Sequence, residues 1–127
     1  MKTTYTIPGK VPSLKNQKLI AFNARTKRPF IISNPKVVQW TEQALYHLGT
    51  RNTPFPGRVS MKIMFYVPDN RVRDLTNMAQ TIEDALVKSN ILRDDSWQWL
   101  KISSLDAKID RRNPRAVITI EQFNVDV

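Results

Sequence analysis

The clearest hydrophobic pattern lies in the middle of the chain. From Val59 to Val67 every second residue is apolar, which is the period of a strand with one face in the core. From Asp74 to about Ser89 apolar residues recur at intervals of three and four, as on one face of an amphipathic helix. The sequence therefore predicts a strand and a helix joined by a short segment rich in charged residues.

Weaker patterns predict the other elements. Asn34 can cap a helix in which Pro35 takes the first position, and Gly49 ends that helix. Trp40 falls on the apolar face of this helix and is expected in the core. The alternation of a later strand slips near Ser103, as a β-bulge would cause. The patterns indicate further strands at residues 3–8, 20–22, 29–32, 100–109 and 116–120.

These elements predict one α+β domain over residues 1–127, with a mixed β-sheet and two helices packed on one face. Their order along the chain is β-β-α-β-α-β-β, and the last two strands are expected to pair as a hairpin. The two strands at residues 20–22 and 29–32 are expected to form a hairpin with a basic tip. The chain has no cysteine and no long apolar run, so we expect a cytoplasmic protein without disulfides or a membrane span.

The net charge of the chain indicates the class of partner that it binds. Lysine and arginine number 20 against 11 acidic residues, a net charge of +9, and a domain this basic most often binds a polyanion such as nucleic acid. Residues 1–41 contain eight basic residues and no acid, whereas six of the 11 acids lie between Asp69 and Asp95. We interpret the first segment as phosphate-binding and the acidic centre as a separate site; a merely soluble basic surface is the alternative.

Asp74 is the first candidate for chemistry. It precedes the helical pattern and Asn77 follows three positions later, which is an N-cap arrangement and a sufficient structural explanation by itself. A carboxylate fixed in this way is also a rigid ligand for a hard divalent cation. Asp94 and Asp95 follow the helix and could add ligands if their loop folds back. Asp84 lies about 15 Å from Asp74 along the helix axis and is expected to be structural; the neighbouring Glu83 is expected to be a solvated surface acid.

The residues around this candidate site resemble a known family. Residues 73–77 read R-D-L-T-N, residues 84–86 read D-A-L, and residues 91–95 end in D-D. These runs resemble the D-L-x-N, D-A-L and D-D pattern of the RusA family of phage and prophage endodeoxyribonucleases, which resolve Holliday junctions. Residues 12–16 are similar to the P-S-x-x-N segment of the family. The resemblance implies a homodimer that depends on magnesium (Mg²⁺) and is selective for branched DNA such as a four-way junction, in the cytoplasm of a bacterial host.

Carried over to this sequence, the resemblance implies that Asp74 and Asp95, with Asp94 beside it, are catalytic and bind the metal. Thr76 stands where the family often has an aspartate, and Gln80 stands where some members have a lysine. A hydroxyl binds magnesium more weakly than a carboxylate, so two alternatives remain open. The chain recruits Asp69 as a further metal ligand, or it is a non-catalytic or weakly active branched-DNA-binding homologue. A basic protein-interaction module is a third reading. The predicted DNA-binding residues are Lys10, Lys15, Asn16, Lys18, Arg25, Lys27, Arg28, Arg71 and Arg73.

Overall fold

The computed structural model describes residues 2–13 and 18–122 of the chain. It confirms an α+β fold with two helices, a mixed four-stranded sheet and a small hairpin. The structure has the six strands that the patterns predicted; the predicted order β-β-α-β-α-β-β counted the two strands of the basic hairpin as one element. The elements are β1 (Lys2–Pro8), β2 (Lys18–Phe22), β3 (Pro29–Ser33), α1 (Pro35–Leu48), β4 (Val59–Val67), α2 (Leu75–Lys88), β5 (Leu100–Ile109) and β6 (Arg115–Gln122).

The four-stranded sheet has the order β1-β6-β4-β5, and β2 and β3 form a second, two-stranded sheet. β5 runs parallel to β4, whereas β6 is antiparallel to both β1 and β4. The predicted pairing of the last two strands is therefore wrong, since β6 lies between β1 and β4. The reason is that α2 carries the chain back along β4, so that β5 adds in parallel on one edge of β4 and β6 pairs with the other.

The predicted bulge in β5 is confirmed. Met61 pairs with Ile102 and the next residue of β4, Lys62, pairs with Ser104, so Ser103 is the extra residue. Its Oγ donates a hydrogen bond to the carbonyl of Met61 at 3.2 Å. The shift returns the following apolar residue, Leu105, to the side of the core.

The core lies between the four-stranded sheet and the two helices. Alternate residues from Val59 to Val67 are buried in β4, α1 contacts β1, and α2 contacts β5. Trp40 is buried, as predicted, and Ile82 of α2 is completely covered. This packing fixes α2, and with it the residues at both of its ends.

Both helices begin after the capping residues that the sequence predicted. Asn34 caps α1, with its Oδ1 accepting a hydrogen bond from the Lys36 N–H at 3.0 Å, and Gly49 ends the helix at a φ of +70°. α2 begins after Asp74 and ends at Ser89. None of the helices in residues 2–13 and 18–122 is long and apolar enough to cross a membrane.

Candidate active site

The corner between β4 and α2 holds Asp74 in one orientation. Its Oδ1 accepts hydrogen bonds from the backbone N–H groups of Thr76 at 3.0 Å and Asn77 at 3.2 Å. Its Oδ2 accepts one from the Asn77 side-chain amide at 3.1 Å. The predicted N-cap is confirmed, and the residue is nevertheless exposed. Because an ionised carboxylate has about four acceptor sites and three hydrogen bonds are accepted here, Asp74 retains capacity for a ligand.

The loop before Asp74 is braced by an ion pair. The Arg73 guanidinium contacts Asp69 Oδ1 at 2.7 Å and donates to the carbonyl oxygens of Asp69 at 3.0 Å and Arg71 at 3.2 Å. The Arg71 backbone N–H and the Arg73 side chain hold the pKa of Asp69 below its usual value. Asp69 and Arg73, considered above for metal and DNA, are thus already engaged with each other and fix the course of the loop.

Two other residues of this loop face solvent. The Arg71 side chain is 80% exposed and its Nε lies 3.9 Å from Asp69 Oδ2, a distance at which it keeps free donors. Val72 is fully exposed. The braced loop therefore exposes one cationic side chain, Arg71, and one apolar side chain, Val72, within three residues of Asp74 in the sequence.

A cleft joins Asp74 to the segment that follows β1, residues 9–13, which we call the N-terminal segment. The Thr81 hydroxyl of α2 donates to the Pro12 carbonyl at 2.9 Å and ties that segment to the helix. Ser13 consequently shares the cleft with Asp74, although only its place in the P-S-x-x-N resemblance pointed to it. The cleft has a volume of about 210 Å³ and is lined by Val11, Ser13, Val72, Arg73, Asp74 and Met78.

Asp94 and Asp95 lie in an ordered turn before β5. The backbone N–H groups of Trp99 and Leu100 both donate to the Ser96 carbonyl at 3.0 Å. Hydrogen bonds from the Ser96 side chain and the Asp95 backbone lower the pKa of Asp94. Both aspartates are exposed, so the turn holds two carboxylates in solvent at the far end of α2.

The expectation that Glu83 is a solvated surface acid is wrong. Glu83 is partly buried, and its pKa is raised to about 7, first by desolvation and then by the negative charge of Asp95. Its position four residues after the buried Ala79, on the border of the apolar face of α2, was the available signal. Asp84, expected to be structural, pairs with Lys88 at 3.0 Å.

The predicted metal ligands lie before and after α2: Asp74 is its N-cap, and Asp94 and Asp95 follow its C-terminal end. The charge of Asp95 raises the pKa of Glu83, and Glu83 lies nine positions after Asp74, about 13 Å along the helix axis. Among the described residues, no group of three or more histidine, cysteine, aspartate or glutamate side chains could hold a metal ion. The carboxylate donors of Asp74, Asp94 and Asp95 fit the chemistry of magnesium, but the described part of one chain does not bring three of them together.

The predicted basic hairpin is confirmed, with β2 antiparallel to β3. Arg25, Lys27 and Arg28 are exposed at its tip, and Lys10 is exposed at the start of the N-terminal segment. Lys18 is the first residue of β2. Lys15 and Asn16 lie outside the described residues.

An exposed aromatic residue near the acidic turn was missed by the sequence analysis. The Trp97 side chain is 70% exposed, two residues after Asp95. The Arg58 guanidinium carbon lies 5.8 Å from the centre of its ring, within the range of a cation–π contact. Trp97 thus presents a large aromatic surface close to one of the candidate acids.

A basic α+β domain that fixes an exposed carboxylate at a helix start, beside a cationic loop, belongs to the class of proteins equipped to act on nucleic acid phosphates. The model of the family Endodeoxyribonuclease RusA matches residues 9–121. The chain therefore belongs to the RusA family of endodeoxyribonucleases, as the motifs around Asp74 and Asp95 implied. A relative from Aquifex aeolicus (strain VF5), "Crossover junction endodeoxyribonuclease RusA", is 25% identical over 90 residues, which cover 69% of this chain and 68% of the relative.

Proposed function

We propose that this chain is a magnesium-dependent, structure-selective DNA endonuclease that hydrolyses phosphodiesters in Holliday junctions or related branched DNA. Membership of the RusA family and the crossover-junction activity in the name of the Aquifex relative support the substrate. The observation that supports the proposal is the orientation of Asp74: three hydrogen bonds fix its carboxylate, and the residue is exposed and lines the cleft.

Asp74, Asp94 and Asp95 are the residues proposed to hold magnesium and to carry catalysis. Nucleases of this family are metal-dependent, and a bound magnesium ion polarises the phosphate and activates water for attack. Asp74 contributes a ligand that needs no reorganisation, because its cap bonds form with the helix. The proposed role of Arg71 is to bind and orient a backbone phosphate beside that carboxylate.

Assembly as a homodimer forms part of the proposal. The described residues of one chain bring no three candidate metal ligands together, and a second copy can supply the missing carboxylates. Two-fold symmetry also matches the substrate, because resolving a four-way junction requires cuts in two strands. Lys10, Arg25, Lys27 and Arg28 are proposed to hold the phosphates of the DNA arms.

The second candidate is a branched-DNA-binding homologue with little or no cleavage. Thr76 favours it, since this exposed residue follows the cap of α2 at the position where the family often has a further carboxylate. The two candidates share the DNA surface and differ only in the metal site. They are therefore separated by cleavage and not by binding.

The test is incubation of end-labelled four-way junction and matched linear duplex with magnesium or with chelator. We expect symmetric cuts in the junction, no cuts in the duplex, and no cuts with chelator. Thr76→Asp should lower the magnesium concentration required for half-maximal cleavage, because it adds a carboxylate donor. Binding of the junction without cleavage at any magnesium concentration would favour the second candidate.

A further inference from the structure

The β2–β3 hairpin exposes more large apolar side chains than its size explains. Of nine exposed large hydrophobic residues in the described chain, four lie in these two five-residue strands: Ile20 is 71%, Phe22 69%, Phe30 46% and Ile31 68% exposed. The hairpin forms its own two-stranded sheet, and none of the other described helices or strands packs extensively on it. Exposed apolar clusters of this kind mark binding surfaces.

The register collects three of these residues on one face. Ile20 lies opposite Ile31, and Phe22 lies opposite Pro29. Directly paired residues of an antiparallel ladder project to the same side, and so do residues two apart. The two pairs therefore form a continuous apolar strip that leads up to the tip of the hairpin, with Phe22 nearest to it.

The tip itself is basic and ordered. Asn23 Oδ1 accepts hydrogen bonds from the N–H groups of Arg25 at 2.9 Å and Thr26 at 3.0 Å. The Lys27 N–H donates to the Asn23 carbonyl at 2.7 Å, and the Asn23 N–H donates to the Arg28 carbonyl at 3.0 Å. Arg25, Lys27 and Arg28 are thus presented together at the end of the apolar strip.

Charge identifies the occupant of this surface. No acidic residue occurs among residues 1–41, so two hairpins facing each other would bring like charges together with nothing to neutralise them. A polyanion with accessible apolar faces complements both the basic tip and the apolar strip. In duplex DNA the flat faces of the bases are stacked on each other, whereas at a branch point the terminal base pairs can unstack and present such a face.

We propose that the β2–β3 hairpin places Phe22, Ile20 and Ile31 against unstacked bases at the branch point of DNA, while Arg25, Lys27 and Arg28 hold the flanking phosphates. The inference rests on the proposed branched substrate and adds how the branch is distinguished from the duplex. Phosphate contacts alone carry little information about the bases, so they do not report whether the bases are stacked. The apolar strip supplies the difference.

The test uses a four-way junction with 2-aminopurine either at the branch point or in the middle of one arm, in chelator so that no strand is cut. Binding of the wild-type protein should raise the fluorescence of the branch-point probe and leave the arm probe unchanged. Phe22→Ser should abolish most of this rise and weaken junction binding by about tenfold, since stacking on one base contributes on this scale. Its affinity for linear duplex should stay as in the wild type.

Two control variants separate this role from general effects. Tyr46→Ser removes another exposed aromatic residue, on α1 and 84% exposed, and should change neither probe nor affinity. Arg28→Ala should weaken junction and duplex binding alike. Circular dichroism should show Phe22→Ser to be folded, because this side chain packs little against the rest of the chain.

Three results would overturn the inference. The first is a branch-point fluorescence rise with Phe22→Ser equal to that of the wild type. The second is an equal loss of junction and duplex affinity in this variant. The third is conversion of a dimer to a monomer by this substitution in sedimentation, which would make the strip a contact between copies. Cleavage of the junction in magnesium is scored separately. A protein that unstacks the branch point without cutting it would contradict the proposed nuclease and leave the inference standing.

Discussion

Replacing Asp74 by asparagine and by alanine separates its two roles, in the helix and in the proposed chemistry. Asparagine keeps an oxygen that can accept the N–H groups of Thr76 and Asn77 and is as good an N-cap as aspartate. It loses only the charge at the positive end of the helix dipole and the bond from the Asn77 amide. Alanine loses all three hydrogen bonds as well as the charge.

The expected losses of stability follow from these contacts. Asp74→Asn should lower the free energy of unfolding by about 0.5 kcal/mol, the scale of a charge–dipole interaction at an exposed helix end. Asp74→Ala should lower it by about 1 to 2 kcal/mol, because the cap is also lost. For a domain of this size these losses correspond to decreases in Tm of about 2 °C and about 4 to 8 °C.

The assay combines denaturant unfolding with junction cleavage at saturating magnesium. Both variants should lose cleavage while Asp74→Asn keeps its fold and binds the junction in chelator. Asp84→Asn is the matched control, since it removes a carboxylate of the same helix that pairs with Lys88 at the surface and should cut normally. Cleavage by Asp74→Asn at the wild-type rate would refute the catalytic role, and Asp74→Ala as stable as the wild type would refute the energetic argument for the cap.

Two further predictions concern pH and salt. Because the pKa of Glu83 is raised to about 7 from 4.5, the folded state binds more protons than the unfolded state between these values, and the free energy of unfolding should fall as pH rises from about 4.5 to 7. In Glu83→Gln this fall, measured by denaturant unfolding at pH 5 and pH 8, should be smaller; an unchanged pH dependence would contradict the assignment. Junction affinity should fall steeply with salt, and Arg25→Ala with Arg28→Ala should reduce the slope of log K against log salt by about 0.9 for each lost phosphate contact. An unaltered slope would remove these two residues from the DNA surface.

Features set by neighbouring residues were predictable from the sequence. The cap at Asp74 depends on residues within one helical turn, and the bulge at Ser103 is visible as a break in alternation within one strand. The basic tip of the β2–β3 hairpin is likewise a local pattern. In each case the chemistry that selects the structure lies within a few positions along the chain.

Features set by distant residues were not predictable in this way. The alternation in β6 shows that it is a strand but not that it pairs with β1 and β4, because either edge of an existing strand satisfies the same pattern. The burial of Glu83 and its proximity to Asp95 depend on how the turn after α2 folds back. The family motifs named Asp74, Asp94 and Asp95 without indicating that the described residues hold no group of three or more such metal ligands.

The central position of β6 also governs when the sheet can form. Among the strands that the structure describes, β1 pairs with β6 alone, and more than a hundred residues separate Pro8 from its partner Arg115. During synthesis β1 therefore has no strand partner until residues 115–122 have left the ribosome, whereas the β4-α2-β5 unit can form earlier from consecutive segments. Pairing across so long a loop slows folding, and the unpaired edges of β1 and β4 are the surfaces that a chaperone would have to protect in the meantime.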